Sequence, residues 1–365
     1  ADGSSESQCQ LLTSTLESML LPDQQCPAWI MPNADGAGYY RFNLPTAQWD
    51  QLLADAVDLT TREKLVLADS FKAALQAGEV DLTTLLAQLS RFINAAEPEV
   101  AGSLLDTVAE FYRQHADGVQ QAGLRSKLVP LYQKRLQQLG LQTLSDRNQA
   151  SLQSELVEQL VLMLDEQKLG SELARMGLAY TGSNESDRNP LAETNLDLIS
   201  TAIAAAVRER GVDYLRYLQQ QVLASDDAIY RQRLLAAMGR ANDPAQQPLL
   251  LQTVLHEKIR DNEIYYLLGP QFSQPATRAQ AWQWLQQNLD ALLQRIPVWR
   301  KGRVAQLAGG FCGSERAAEV EDFFAARSEN LQGGPRALAN TLESIRLCAA
   351  RKEHFQPQLQ ALTAR

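Results

Sequence analysis

The chain has 365 residues, 45% of them hydrophobic and 21% charged, with a formal net charge of −9 at pH 7. That is enough chain to bury a full core, as one elongated or two globular units. An acidic balance without a lysine- or arginine-rich block argues against a general nucleic-acid binder, and no apolar run approaches the ~18 residues of a membrane span.

Residues 1–45 read as short strands, at 9–12, 15–20 and 39–43, punctuated by Pro22, Pro27 and Pro32. Asn33, Asp35, Gly36 and Gly38 are turn formers, and Tyr39, Tyr40, Arg41 and Phe42 follow as a strand-like run. The pattern predicts a hairpin, with glycine supplying the positive φ of a tight turn. So little sheet is not stable alone, so the segment reads as the last strands of a domain that begins upstream of Ala1. The start, ADGSSESQ, has neither the basic end nor the apolar centre of a signal peptide.

From Thr46 the period becomes helical. Trp49, Leu52, Leu53 and Val57 share one face. Thr60, with Glu63 three residues on, predicts a capping box, and Leu65, Leu67, Ala68, Phe71, Ala74 and Leu75 extend the apolar face to Gly78. Further helices are predicted over 81–93, 97–115, 124–139 and 152–164, the second with Pro98 in its first turn. The polar stretch 182–190 is the best internal boundary. Beyond it, helices are predicted over 191–207, 213–223, 226–238, 244–259, 276–293, 315–326 and 335–348. Connections are short and begin with Asp, Ser, Thr or Pro, as helix starts do. The expectation is a mainly α fold, an irregular HEAT- or armadillo-like α-superhelix over 46–365 with a short N-terminal β segment over 1–45. A compact all-α globule is the alternative.

Chemistry-bearing residues are sparse. The three histidines, His115, His256 and His354, are far apart. His256-Glu257-Lys258-Ile259-Arg260 begins like the zinc motif HExxH, but Arg260 stands where the second imidazole must be, so no metal ligands are assigned. No Gly-x-Ser-x-Gly elbow occurs, and Gly309-Gly310-Phe311-Cys312-Gly313 lacks a phosphate-binding lysine. No catalytic residue or cofactor is assigned to this chain. The four cysteines, Cys9, Cys26, Cys312 and Cys348, allow three disulfide connectivities. Local pairing of Cys9 with Cys26 and Cys312 with Cys348 costs the least loop closure, and four buried thiols are the alternative. Two disulfides would point to an exported protein, free thiols to a cytoplasmic one.

Trp29-x-x-Pro32-Asn33, Gly36-x-Gly38-Tyr39-Tyr40-Arg41, Trp49, Leu59-x-x-Arg62, Asp69-x-Phe71 and Gly78 form an ordered series. Later come Asp243-Pro244, Ala281-Trp282-x-Trp284-Leu285 with Asn288, Phe311, Glu319-Val320-x-x-Phe323-Phe324 and Leu342-Glu343-x-Ile345. From Cys26 to the C-terminus the series resembles the end of the β-sandwich and the helical C-terminal domain of zinc aminopeptidases, the puromycin-sensitive aminopeptidase and aminopeptidase N family. The resemblance implies a noncatalytic domain. The family's zinc motif, third-ligand glutamate and Gly-x-Met-Glu-Asn motif lie N-terminal to these signposts and are absent here. It implies zinc in a catalytic domain outside this chain, that domain and peptides as partners, and a concave wall that limits access and holds the distal end of peptides. Tyr112-Arg113 falls where some members carry a Tyr-Lys pair for the peptide carboxylate, with arginine here replacing lysine. Arg278 is a second candidate, and Arg41 reads as a structural tie. The plain alternative for Tyr112-Arg113 is an amphipathic helix with one exposed arginine.

Two other function classes remain. A free-standing helical scaffold would bind a protein partner in its groove, but should begin with a polar capping helix rather than strands. An enzyme with an unrecognised site would need a catalytic constellation that the sequence does not display.

Overall fold

A computed structural model describes residues 11, 13–18, 29–54, 59–183 and 195–363. Most of the expected strand at 9–12, Cys9, Cys26, Val57 and most of the polar stretch 182–190 lie outside the described residues. No strand occurs among those described. Around residues 13–18 the Glu17 carboxylate accepts from Thr13 N and Ser14 N, which closes a turn where a strand was expected. The hairpin is also replaced, for a specific reason. Asn33 is buried, and its side-chain amide donates to Gly38 O at 2.8 Å and accepts from Gly38 N at 2.8 Å. These bonds satisfy the loop locally, so no partner strand is needed. A 3₁₀ turn, Ala34–Gly36, sits inside the loop, with Asp35 and Gly36 at positive φ. Phe42 N donates to Ser70 Oγ, and Arg41 pairs with Asp69 at 2.8 Å, tying the loop to the second helix.

Helices make up most of the rest. They are α1 (Thr46–Ala54), α2 (Thr61–Gln76), α3 (Leu82–Phe92), α4 (Pro98–Gly102), α5 (Leu105–Glu110), α6 (Gly118–Leu139), α7 (Arg147–Glu158), α8 (Gln167–Thr181) and α9 (Ile199–Arg210). After these run α10 (Val212–Ala224), α11 (Ala228–Gly239), α12 (Gln247–Val254), α13 (Ile264–Ser273), α14 (Pro275–Arg295), α15 (Val298–Lys301), α16 (Ser314–Ser328) and α17 (Gly334–Thr363). Side chains start many of them. Thr60 and Glu63 form the expected capping box, Asp117 and Gln120 form another, and Asp81, Asp146, Glu166 and Asp227 cap α3, α7, α8 and α11. The predicted helix at 97–115 is broken into α4, α5 and a π turn, Phe111–His115. A second π turn, Gln159–Met163, follows α7. Helices α8 and α13 were not foreseen, and α17 continues well past residue 348.

Helices α9 to α14 pack as two rows. Helices α9, α11 and α13 lie side by side, while α10, α12 and α14 neighbour one another behind them. The long α17 crosses back to α3, α6 and the first π turn. Gln358 Oε1 there accepts Leu82 N at 2.9 Å, Arg351 pairs with Glu110 at 2.9 Å, and Phe355 packs edge-on against Phe111. The beginning and end of the helical array are thus held together.

The tightest approach is between α8 and α9. A Cβ on Gly177 would stand 2.5 Å from Ala202 O and 2.7 Å from Ile203 N, both backbone atoms that cannot swing aside. Gly177→Ala is therefore expected to destabilise the fold by about 1.5 kcal/mol, through overpacking that outweighs the helix-propensity gain. Urea unfolding would show this as a lower midpoint, and an unchanged midpoint would contradict it.

Candidate functional site

A cavity of about 920 Å³ opens where several helix ends converge. Its wall is built from the π turn after α5, the end of α7 with its π turn, the C-terminal ends of α9, α11 and α13, and, among others, the start of α14 and the first turns of α5 and α6. A helix C-terminus leaves its last carbonyls unpaired and carries the negative end of the dipole. So many such ends in one place call for cations, and arginines supply them.

Arg208, in the last turn of α9, donates to Val161 O at 3.0 Å and Leu162 O at 2.6 Å. Arg240 donates to Ala236 O at 3.2 Å and pairs with Glu158 at 2.8 Å. Both guanidinium groups are occupied by the protein. Arg113 differs. Its Nε donates to Ala109 O at 3.3 Å, and its two terminal nitrogens have no partner among the described residues. Of the three arginines lining the cavity, it alone keeps a free bidentate edge. Tyr112 lies beside it, its side chain buried at 8% exposure, with its carbonyl accepting from Gln121 Nε2 at 2.9 Å. Burial pushes the Tyr112 phenol upward.

Arg278 is placed elsewhere. It is buried and donates to Phe272 O at 2.7 Å and Ser273 O at 2.8 Å, capping the end of α13 outside the cavity lining. Its burial lowers its pKa to about 10. Trp282 is a packing residue, set among Phe311, Phe323 and Phe324 with its indole N–H on Glu319. His256 lies in a turn after α12, and Arg260 is engaged with Asp226 O and Glu263. The half-motif beginning at His256 therefore presents no helical face for a metal.

The opposite charge lines another part of the wall. Glu155 is half-buried near Asp106 and Glu158, and receives Gln159 Nε2 at 3.3 Å. Burial first, then the like charges of Asp106 and Glu158, raise its pKa to about 7. Because the folded pKa lies above the unfolded one, the proton on Glu155 favours the fold below about pH 4.5. That advantage is lost as pH rises through 7. Glu155→Gln removes the titration, so its stability relative to the parent should increase by about 2 kcal/mol between pH 4 and pH 8, with allowance for water at a half-buried group. Thermal unfolding at the two pH values measures this, and a pH-independent difference would contradict it.

Cys312 and Cys348 are joined by a disulfide with Cα atoms 5.1 Å apart, linking α17 to the loop before α16. His115 closes the first π turn. Burial, with Arg351 and Lys352 nearby, lowers its pKa to about 4 and keeps it neutral.

The family model for the ERAP1-like C-terminal domain matches residues 29–347. The chain belongs to that family. The ERAP1-like match takes in the whole cavity wall. Among curated proteins the chain is 24% identical over 347 residues to Aminopeptidase M1 of Arabidopsis thaliana, covering 88% of this chain and 37% of that protein. It is 22% identical over 335 residues to Aminopeptidase M1-B of Oryza sativa subsp. japonica, with the same two coverages. The chain thus spans 37% of the length of the curated relatives it matches. Sequence reasoning missed Arg208, Arg240 and Glu155 as parts of the site. A basic residue directly after the helix predicted over 191–207 was the available signal for Arg208.

Proposed function

We propose that this ERAP1-like C-terminal domain is the noncatalytic wall of a peptide chamber in an aminopeptidase. Its helical rows act as an irregular HEAT-like superhelix whose concave side receives peptides. The full protein removes N-terminal residues with a zinc centre in a catalytic part outside this chain, and that part is the domain's principal partner. Arg113 takes the distal carboxylate of the peptide, with Tyr112 beside it. The observation that carries this reading is the free bidentate edge of Arg113 in a cavity whose other arginines are already bound. A planar guanidinium offers two parallel N–H groups that match a carboxylate. The nearby Glu155 and Asp106 keep the wall from being uniformly basic, so a carboxylate is directed to one place. The disulfide fits an exported protein.

Turnover of a panel of aminoacyl-anilides by the purified chain, with and without added zinc, tests the noncatalytic part. No turnover is expected under either condition. Turnover that follows the chain through purification and is abolished by chelation would overturn the reading.

A further inference from the structure

His115 is 1% exposed, and its Nε2 lies 3.7 Å from Cys348 Sγ. Its Nδ1 is buried without a hydrogen-bond partner. Among the described residues no carbonyl or carboxylate engages the ring: Nε2 has only sulfur beside it, and Nδ1 has no partner. An unsatisfied buried polar group is costly, and one in a native core calls for an explanation. His115, Cys312 and Cys348 each offer a ligand atom, and these atoms lie within 4.8 Å of one another. It is the cluster of metal-ligating side chains that the fold assembles among the described residues. A tetrahedral zinc ion with Zn–S of about 2.3 Å and Zn–N of about 2.0 Å sets S···N at about 3.5 Å. The imidazole and Cys348 already stand at nearly that separation.

We propose that, once the Cys312–Cys348 bond is reduced, His115, Cys312 and Cys348 form a Cys₂His site for a zinc ion, with water in the fourth position. The chemistry balances with a dithiol reductant. It gives two electrons and two protons, its own sulfurs become a disulfide, the protein S–S bond breaks, and two thiols result. Zinc then displaces both thiol protons to solvent as each sulfur donates a lone pair. Two thiolates and one zinc ion are together neutral. The neighbouring Arg351 and Lys352, which disfavour a lone cation beside His115, therefore do not oppose the complete site. Cys312 is only half-buried, which gives the ion and its water a way in. Disulfide and zinc are then alternative clasps, each joining α17 to the loop before α16, and the zinc clasp also takes hold of the π turn that carries Tyr112 and Arg113.

The test uses the full chain with Cys9→Ser and Cys26→Ser, oxidised or reduced with a phosphine, and one equivalent of Zn²⁺ or Co²⁺. The reduced chain should bind one ion, show tetrahedral cobalt bands with thiolate charge transfer, and have both thiols protected from alkylation at least about 10-fold by zinc. The oxidised chain should bind none. His115→Gln should weaken binding by at least about 100-fold. Because His115 is buried, Cys312→Ser at the half-buried position is the companion variant and should lose the ion with an unchanged far-UV spectrum. No stoichiometric ion on the reduced chain, equal alkylation with and without zinc, or full affinity in either variant would overturn the proposal.

Discussion

Arg231→Ala is expected to lower the unfolding free energy by about 4 kcal/mol, the largest single-residue loss anticipated in this chain. Arg231 and Glu263 have side chains only 3% and 5% exposed, and they meet through two bonds of 2.7 and 2.6 Å. The same guanidinium donates to Val222 O, to Ser225 O at 3.0 Å and to Lys258 O at 2.9 Å. It thereby joins the end of α10 and the turn before α13 to α11. Burial works against the charge on Glu263, but the bonds from Arg231 and from Arg260 N outweigh it and leave its pKa below the usual value. Truncating Arg231 would strip the buried Glu263 carboxylate of its two shortest bonds, leaving it only Arg260 N at 2.8 Å and the more distant Arg260 guanidinium at 3.8 Å, and would leave three carbonyls without that donor. Because the folded Glu263 pKa is depressed, the pair's contribution is present above the unfolded carboxylate pKa and fades as pH falls through the folded one. Urea unfolding at pH 7 measures the loss, and a change under about 1 kcal/mol would contradict this account. The double variant Arg231→Met, Glu263→Leu should recover much of it, since the charge is then absent rather than stranded.

Arg113→Ala should weaken binding of free-carboxylate peptides by about 10- to 100-fold, the range of one or two charge-assisted hydrogen bonds. Stability should barely change, because the protein uses only one 3.3 Å bond from Arg113 to Ala109 O. Arg113→Lys should retain part of the affinity, since an ammonium keeps the charge but loses the planar fork. Fluorescence anisotropy with a labelled peptide separates the three proteins. Equal affinity in all of them would remove Arg113 from the site.

Much of the helical order could be read from caps and periodicity. Thr60 with Glu63 and Asp81 before Leu82 marked starts that the structure places there. The failures have physical causes. The predicted hairpin depended on Asn33 to Gly38 as a turn between strands, whereas the Asn33 amide closes the loop on itself. Periodicity cannot register the π turns at 111–115 and 159–163, where one extra residue enters the helix. Helix α13 carries Gly269 and Pro270, which break an apolar pattern on paper but are tolerated in a helix packed on its neighbours. Gly170 and Gly177 did the same for α8, although Gly177 is what lets α9 approach. Tyr112 and Arg113 were singled out through family resemblance alone. What distinguishes Arg113 from Arg208 and Arg240 is which carbonyls each one reaches, and that is settled by tertiary packing. The approach of His115 to Cys348, 233 residues away, is likewise invisible to local spacing.

The most direct measurement is the affinity of the purified chain for one peptide in two forms, with a C-terminal carboxylate and with a C-terminal amide. The account predicts that the free acid binds at least about 10-fold more tightly, and that Arg113→Ala abolishes the difference. Equal binding of acid and amide, or a preference for the acid that survives in Arg113→Ala, would contradict it.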